Sequence, residues 1–190
     1  SYKAASQNWM IMQSKTGWMY FANNKGLLEF DGVNWAVYPI HNAKMRTVKA
    51  GEDGRIYVGG LQQFGYFVPN KLGRLDYVCL SDSIDKHMIG NIWNIHIAGN
   101  RIYFQSDHAI FYLEKERLHQ IACRDIIYSA LVDKRLYVAG NGLSVLNGDT
   151  LLQLPNSTSY INNMSKRIVG IFPYQNKLLL VSNQHGLFLY

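Results

Sequence analysis

One phrase returns five times in this chain of 190 residues: Trp18-Met19-Tyr20-Phe21-Ala22, Arg55-Ile56-Tyr57-Val58-Gly59, Arg101-Ile102-Tyr103-Phe104-Gln105, Arg135-Leu136-Tyr137-Val138-Ala139 and Lys177-Leu178-Leu179-Leu180-Val181. The steps between its central residues are 37, 46, 34 and 43, with a mean of 40. A strand-like unit at that period cannot bury its apolar surface alone, so it must stack on copies of itself, as propeller blades do. The phrase is apolar on consecutive residues where a strand with one wet face would alternate, which predicts burial on both faces.

The residues around the phrase divide the same way in each unit. A first strand precedes it (Met10–Gln13, Arg46–Ala50, Ile92–Ile97, Ile127–Leu131, Ile168–Phe172) and ends in a short polar turn such as Gly51-Glu52-Asp53-Gly54. Turns of this kind are hairpin signals. A third strand follows (Leu27–Phe30, Phe64–Val68, Ala109–Leu113, Leu143–Leu146, Leu187–Tyr190), and a second turn leads to an outer strand in the first four units. The expectation is an all-β chain: a β-propeller fragment of about five blades, each of four short antiparallel strands, with the last blade incomplete. The blades are expected at 8–41, 46–80, 92–123, 127–154 and 168–190, within one partial propeller over 1–190. The start at Ser1 and the three-stranded fifth unit point to a piece of a longer chain.

Composition agrees with this and removes other classes. At 48% hydrophobic the chain can bury a core, and its Tyr, Trp, Ile, Val and Phe favour pleated strands. No window of ten residues has helical periodicity. The net charge of +6 comes from scattered Lys and Arg, with no basic run, recognition helix or aromatic RNA-binding signature, so direct nucleic-acid binding by this segment is not expected. The unbroken apolar runs are four to five residues, too short to cross a membrane. Cys79 and Cys123 close corresponding strands of successive units; two buried thiols are the expected state, with a disulfide left open.

The stretch Asn8–Gly32 resembles the two-component regulator propeller repeat. It has the aliphatic–Gln opening (Met12-Gln13), Gly-x-aliphatic-aromatic (Gly17 to Tyr20), Gly-Leu (Gly26-Leu27) and the aromatic-Asp-Gly close (Phe30-Asp31-Gly32), with Ser14 where Asp is usual and Ala22 where Gly is usual. Units two and five are similar, while units three and four match loosely. That resemblance implies the periplasmic sensor region of a Bacteroidetes-type regulator. It also implies a membrane helix and a histidine kinase or helix-turn-helix DNA-binding output in modules outside these residues.

Chemistry-bearing patterns are few. Metal-ligand spacing, a nucleophile elbow and a phosphate-cradling glycine loop are all missing, so no catalytic residue, metal or cofactor is expected. In a propeller the turns between second and third strands gather on one face with the blade-to-blade connections. That face would collect Asn24, Lys25, Gln62, Gln63, Asp107, His108, Asn141, Gln184 and His185, with Arg46, Asn91, Trp93 and Arg167 from the connections. Amides with one or two aromatics suit an oligosaccharide or another small polar ligand, and equally a solvated rim. Trp9 and Trp18 flank strands and are assigned to packing. The expected function is ligand sensing relayed to a downstream output. The alternatives are a protein-interaction scaffold and, last, a propeller enzyme, because Asp107 is the one acidic residue in the set. A homodimer is a further candidate partner.

Overall fold

The structure, a computed structural model, describes residues 4–41, 44–123, 125–158, 161 and 168–190. Its described residues include 19 strands and a four-residue helix. The strands make five consecutive antiparallel sheets, each open at both edges. The first holds β1 (Asn8–Gln13), β2 (Met19–Asn23), β3 (Gly26–Phe30) and β4 (Trp35–Pro39), in that order. In the second, β5 (Met45–Ala50), β6 (Ile56–Gly60), β7 (Gln63–Pro69) and β8 (Leu75–Cys79) follow the same order. The helix α1 (Lys86–Ile89) comes before the third sheet, made of β9 (Ile92–Ala98), β10 (Arg101–Ser106), β11 (Ala109–Glu114) and β12 (Arg117–Ala122). The fourth comprises β13 (Tyr128–Val132), β14 (Arg135–Gly140), β15 (Gly142–Asn147) and β16 (Thr150–Gln153). The fifth has three strands: β17 (Ile168–Tyr174), β18 (Lys177–Ser182) and β19 (Gly186–Leu189). The chain forms two compact units, one ending at Ile95 and the other starting at His96.

The recurring phrase is the second strand of each sheet, and burial on both faces is clearest in β6, where all five residues are buried. In the first unit the sheets β1–β4 and β5–β8 enclose a core containing Tyr20, Leu27, Tyr38, Met45, Val48 and Val58. The second unit has two such cores. One holds Tyr103, Ile110, Leu136 and Val138, and the other Leu143, Ile168, Ile171 and Leu180. Each fully buried aliphatic side chain contributes about 1.5–3 kcal/mol by leaving water.

The arginine that opens the phrase has a packing role. Arg55 lies 4.4 Å over the ring of Tyr66, and Arg101 lies 4.5 Å over that of Tyr112. The phrase tyrosines meet the same rings, with Tyr57–Tyr66 centroids 5.8 Å apart and Tyr103–Tyr112 5.7 Å apart. Arg-aliphatic-Tyr on the second strand and Tyr on the third therefore form one guanidinium–aromatic stack in each of these two sheets. In the second unit Arg101 also grips Glu114 through two nitrogens, at 3.0 and 3.3 Å, and Asp149 at 2.7 Å. Tyr112 donates to the same Asp149 oxygen at 3.0 Å. This network ties β10 and β11 to the β15–β16 turn.

Two turn positions explain the glycine motifs. Gly32 has φ +103°, and Asp31 accepts from the backbone N–H of Val33 (2.8 Å) and Asn34 (2.6 Å). Those donors hold the Asp31 carboxyl below the usual carboxylate range. Gly26 has φ +141°, and a Cβ there would stand 2.2 Å from the Tyr38 carbonyl oxygen. Only glycine lets β3 approach β4 so closely. The helix α1 is one turn capped by Asp85, which accepts from the His87 N–H at 2.9 Å. It is too short to show as a period in the sequence.

Candidate functional site

In the first unit the bulges of β1 and β5 create the arrangement of interest. Asn8 pairs with Asn23 and Met10 with Ala22, so Trp9 is an extra residue on β1. Met45 pairs with Gly60 and Thr47 with Gly59, which leaves Arg46 as the extra residue on β5. Trp93 is likewise the second residue of β9. A bulge re-aims the side chain it carries. Here the Arg46 guanidinium stacks 3.7 Å over the Trp9 ring and lies 5.8 Å from that of Trp93. The two indoles are edge-on, with centroids 6.4 Å apart. Trp9 is 45% exposed and Trp93 37%. The Trp9 indole N–H donates to Asn24 Oδ1 at 2.9 Å, which fixes the ring.

Nε and Nη1 of Arg46 are buried without a hydrogen-bond partner among the described residues. Burial pushes the guanidinium pKa down. Arg46 is thus a partly desolvated cation resting on aromatic faces.

Three predicted residues, Asn24, Arg46 and Trp93, come together here. Trp9, assigned to packing from the sequence, packs against Arg46 and Trp93 in this cluster. Lys25 is exposed in the β2–β3 turn, and its N–H donates to Asn23 Oδ1 at 2.9 Å. Gln62 has φ +56° in the β6–β7 turn and donates its N–H to the Gly90 carbonyl at 2.7 Å. Asn91 bridges Leu61. Gln62 and Gln63 line a polar cavity of about 230 Å³ with His41, Ser81, Asp82 and Lys86.

The second unit presents its predicted residues differently. Ser106 Oγ accepts from the His108 N–H at 3.1 Å, and Ser182 Oγ accepts from the Gln184 and His185 N–H groups at 3.3 Å. The hydroxyls order these turns, while His108, Gln184 and His185 stay exposed and Asp107 half-buried. Asn141 is exposed and accepts through its carbonyl from Gln153 Nε2 at 3.2 Å. Arg167 lies outside the described residues.

Sequence reasoning missed a buried polar chain in this unit. Ser129 Oγ donates to Gln105 Oε1 at 3.2 Å and meets His96 Nε2 at 2.8 Å, so the hydroxyl accepts from the ring N–H. Gln105 and Ser129 are completely buried. One signal was available: Gln105 occupies a phrase position where the other units carry Ala22, Gly59, Ala139 and Val181.

Cys79 and Cys123 are free thiols, and burial raises Cys123 to about 11. Among the described residues no three His, Cys, Asp or Glu side chains gather as a metal site would require. Nor is any helix among them long and apolar enough to cross a membrane.

No family model and no curated protein matches the chain. Solved structures do resemble it. Virginiamycin B lyase from Staphylococcus aureus superposes with a TM-score of 0.66 at 14% identity, over 100% of this chain and 72% of that one. The extracellular domain of BT4673 from B. thetaiotaomicron, assigned as a hybrid two component system, gives 0.72 at 13% identity over 100% of this chain and 27% of that one. The corresponding domain of BT3049 gives 0.71 at 12% identity, covering 100% and 28%. At such identities the likeness is one of fold, and it identifies the sheets as blades of propeller type.

Proposed function

We propose that this chain is part of the ligand-sensing propeller region of a bacterial signal-transducing regulator. In this reading it lies in the periplasm and takes an oligosaccharide or another small, hydroxyl-rich ligand. Binding is then passed to a kinase or DNA-binding output carried by other modules. The observation that carries the reading is the half-exposed Trp9–Arg46–Trp93 cluster with Asn24, where indole faces and hydrogen-bonding groups meet beside the bulges of β1 and β5. Sugars are held by that combination, an apolar face stacked on an aromatic ring and hydroxyls paired with amides. The fold likeness to extracellular domains assigned to two component systems supports the same reading.

The relay is a population shift. A ligand changes the packing of neighbouring sheets, or of two protomers in a homodimer, only as far as it binds one arrangement better than the other. This segment performs no chemistry of its own, and its likeness to a lyase extends to the fold alone. Titration calorimetry of the complete extracellular region against plant and host oligosaccharides tests the reading. Saturable heat that is lost in Trp93→Ala is expected, and flat traces throughout would refute it. If partner proteins were captured and no small molecule bound, the scaffold alternative would take its place. Turnover abolished by Asp107→Asn would instead make the chain an enzyme.

A further inference from the structure

We infer that the Trp9–Arg46–Trp93 cluster takes an oxyanion carried on a ring, as a sugar acid or an aromatic acid does. The inference rests on the reading of this cluster as a ligand site and adds the charge of the ligand. A guanidinium has five donors and normally spends them on carboxylates, carbonyls or water. In Arg46 the face is taken by Trp9 at 3.7 Å, while Nε and Nη1 are buried and unpaired. Leaving a buried polar group unpaired costs free energy, and more when the group is charged. Packing alone does not account for an arginine here, because a methionine would fill the same space beside the indoles without that cost.

What the site lacks is an anion with the reach to meet the guanidinium edge. A carboxylate or sulfate supplies paired acceptors in the geometry an arginine fork prefers. The half-exposed indoles give the ring that bears the anion an apolar surface to lie on. Because Nε and Nη1 are covered, an indole must shift as the anion enters, and binding changes tryptophan fluorescence.

The test titrates the full chain with two acid–amide pairs, glucuronate against glucuronamide and benzoate against benzamide, read by indole fluorescence and by the shift in thermal midpoint. The pairs separate a sugar from an aromatic source, and within each pair the ring is kept while the carboxylate gives way to a neutral amide of similar size. At least one acid is expected to bind about ten- to a hundred-fold more tightly than its amide, as charge-assisted hydrogen bonds imply. That preference disappears in Arg46→Met and in Arg46→Gln, two variants that differ in polarity so that a folding defect in one leaves the other informative. Equal binding of acid and amide overturns the anion site while leaving ligand sensing standing. An acid preference that survives both variants removes Arg46 from the site. If none of the four compounds changes fluorescence or midpoint at millimolar concentration, the anion site is overturned, and the cluster no longer supports the sensing proposal.

Discussion

Placing a single methyl group on Gly59 tests how tightly the first unit is assembled around β6. Gly59 is completely enclosed in β6, and a Cβ built on it falls 2.4 Å from Ile92 Cγ2, 2.8 Å from Ile92 Cβ and 3.2 Å from Thr47 Cγ2. Carbon atoms rest at about 3.5–4.0 Å, so the start of β9 must retreat by about 1 Å. Ile92 and Thr47 have no exposed surface into which to move. Overpacking of this kind costs about 1–3 kcal/mol, offset by about 0.4–1 kcal/mol because alanine restricts the unfolded chain. Gly59→Ala is therefore expected to lose about 1–2 kcal/mol in urea unfolding followed by tryptophan fluorescence. Ile92→Ala alone leaves a cavity worth about 2–5 kcal/mol, but it deletes the methyl that the added Cβ would strike. The double variant should thus be more stable than the sum of the single losses predicts, by about 1 kcal/mol. Trp93 follows Ile92 directly, so the native fluorescence of Gly59→Ala should also change as that indole is displaced from Arg46. A Gly59→Ala protein as stable as the parent, or strict additivity in the cycle, would refute the packing argument.

Two other perturbations probe the charge arrangement. Glu29 is buried on β3, accepts from the Tyr38 hydroxyl at 3.1 Å and has its pKa raised by desolvation above 4.5. The folded state holds that proton more tightly, so its stabilising contribution is complete below 4.5 and lost as pH rises through the folded value. Thermal midpoints of the parent and Glu29→Gln should be close at about pH 4 and diverge toward neutrality with the glutamine form higher; a gap independent of pH would contradict this. Arg101→Met frees Glu114 and Asp149 from their shared cation and should lower the midpoint by about 5 °C, whereas Lys15→Met, which breaks an exposed pair with Glu52, should leave it within about 1 °C. Equal effects from the two substitutions would count against the Arg101 network.

The blade pattern was legible because its signal is local. Tyr57 and Val58 are buried side by side in a strand between two others, and that requires consecutive apolar residues. Asp31-Gly32 and Gly26 could be read for a similar reason, since a left-handed turn or a close strand approach admits few residue types. The site was only half legible. Arg46 and Trp93 stood out as connection residues, but the bulge that sets Trp9 beside Arg46 adds one residue to a strand without changing its composition. The His96–Ser129–Gln105 chain joins residues 24 and 33 positions apart in sequence. No spacing within a single unit reveals such a pairing, although a glutamine where other units carry small or aliphatic residues hints at it.

The extra residue that opens β1, β5 and β17 has a consequence for how such arrays diversify. Trp9, Arg46 and Val169 sit outside the ladder register of their sheets, so the hydrogen-bonding partners on either side are the same whatever side chain the position bears. An aromatic ring, a cation and a branched aliphatic already occupy it within one chain. Exchange at these positions changes the side chain that a sheet presents at its first strand while the ladder pairing of each hairpin is kept, which separates the variation of that surface from the stability of the blade.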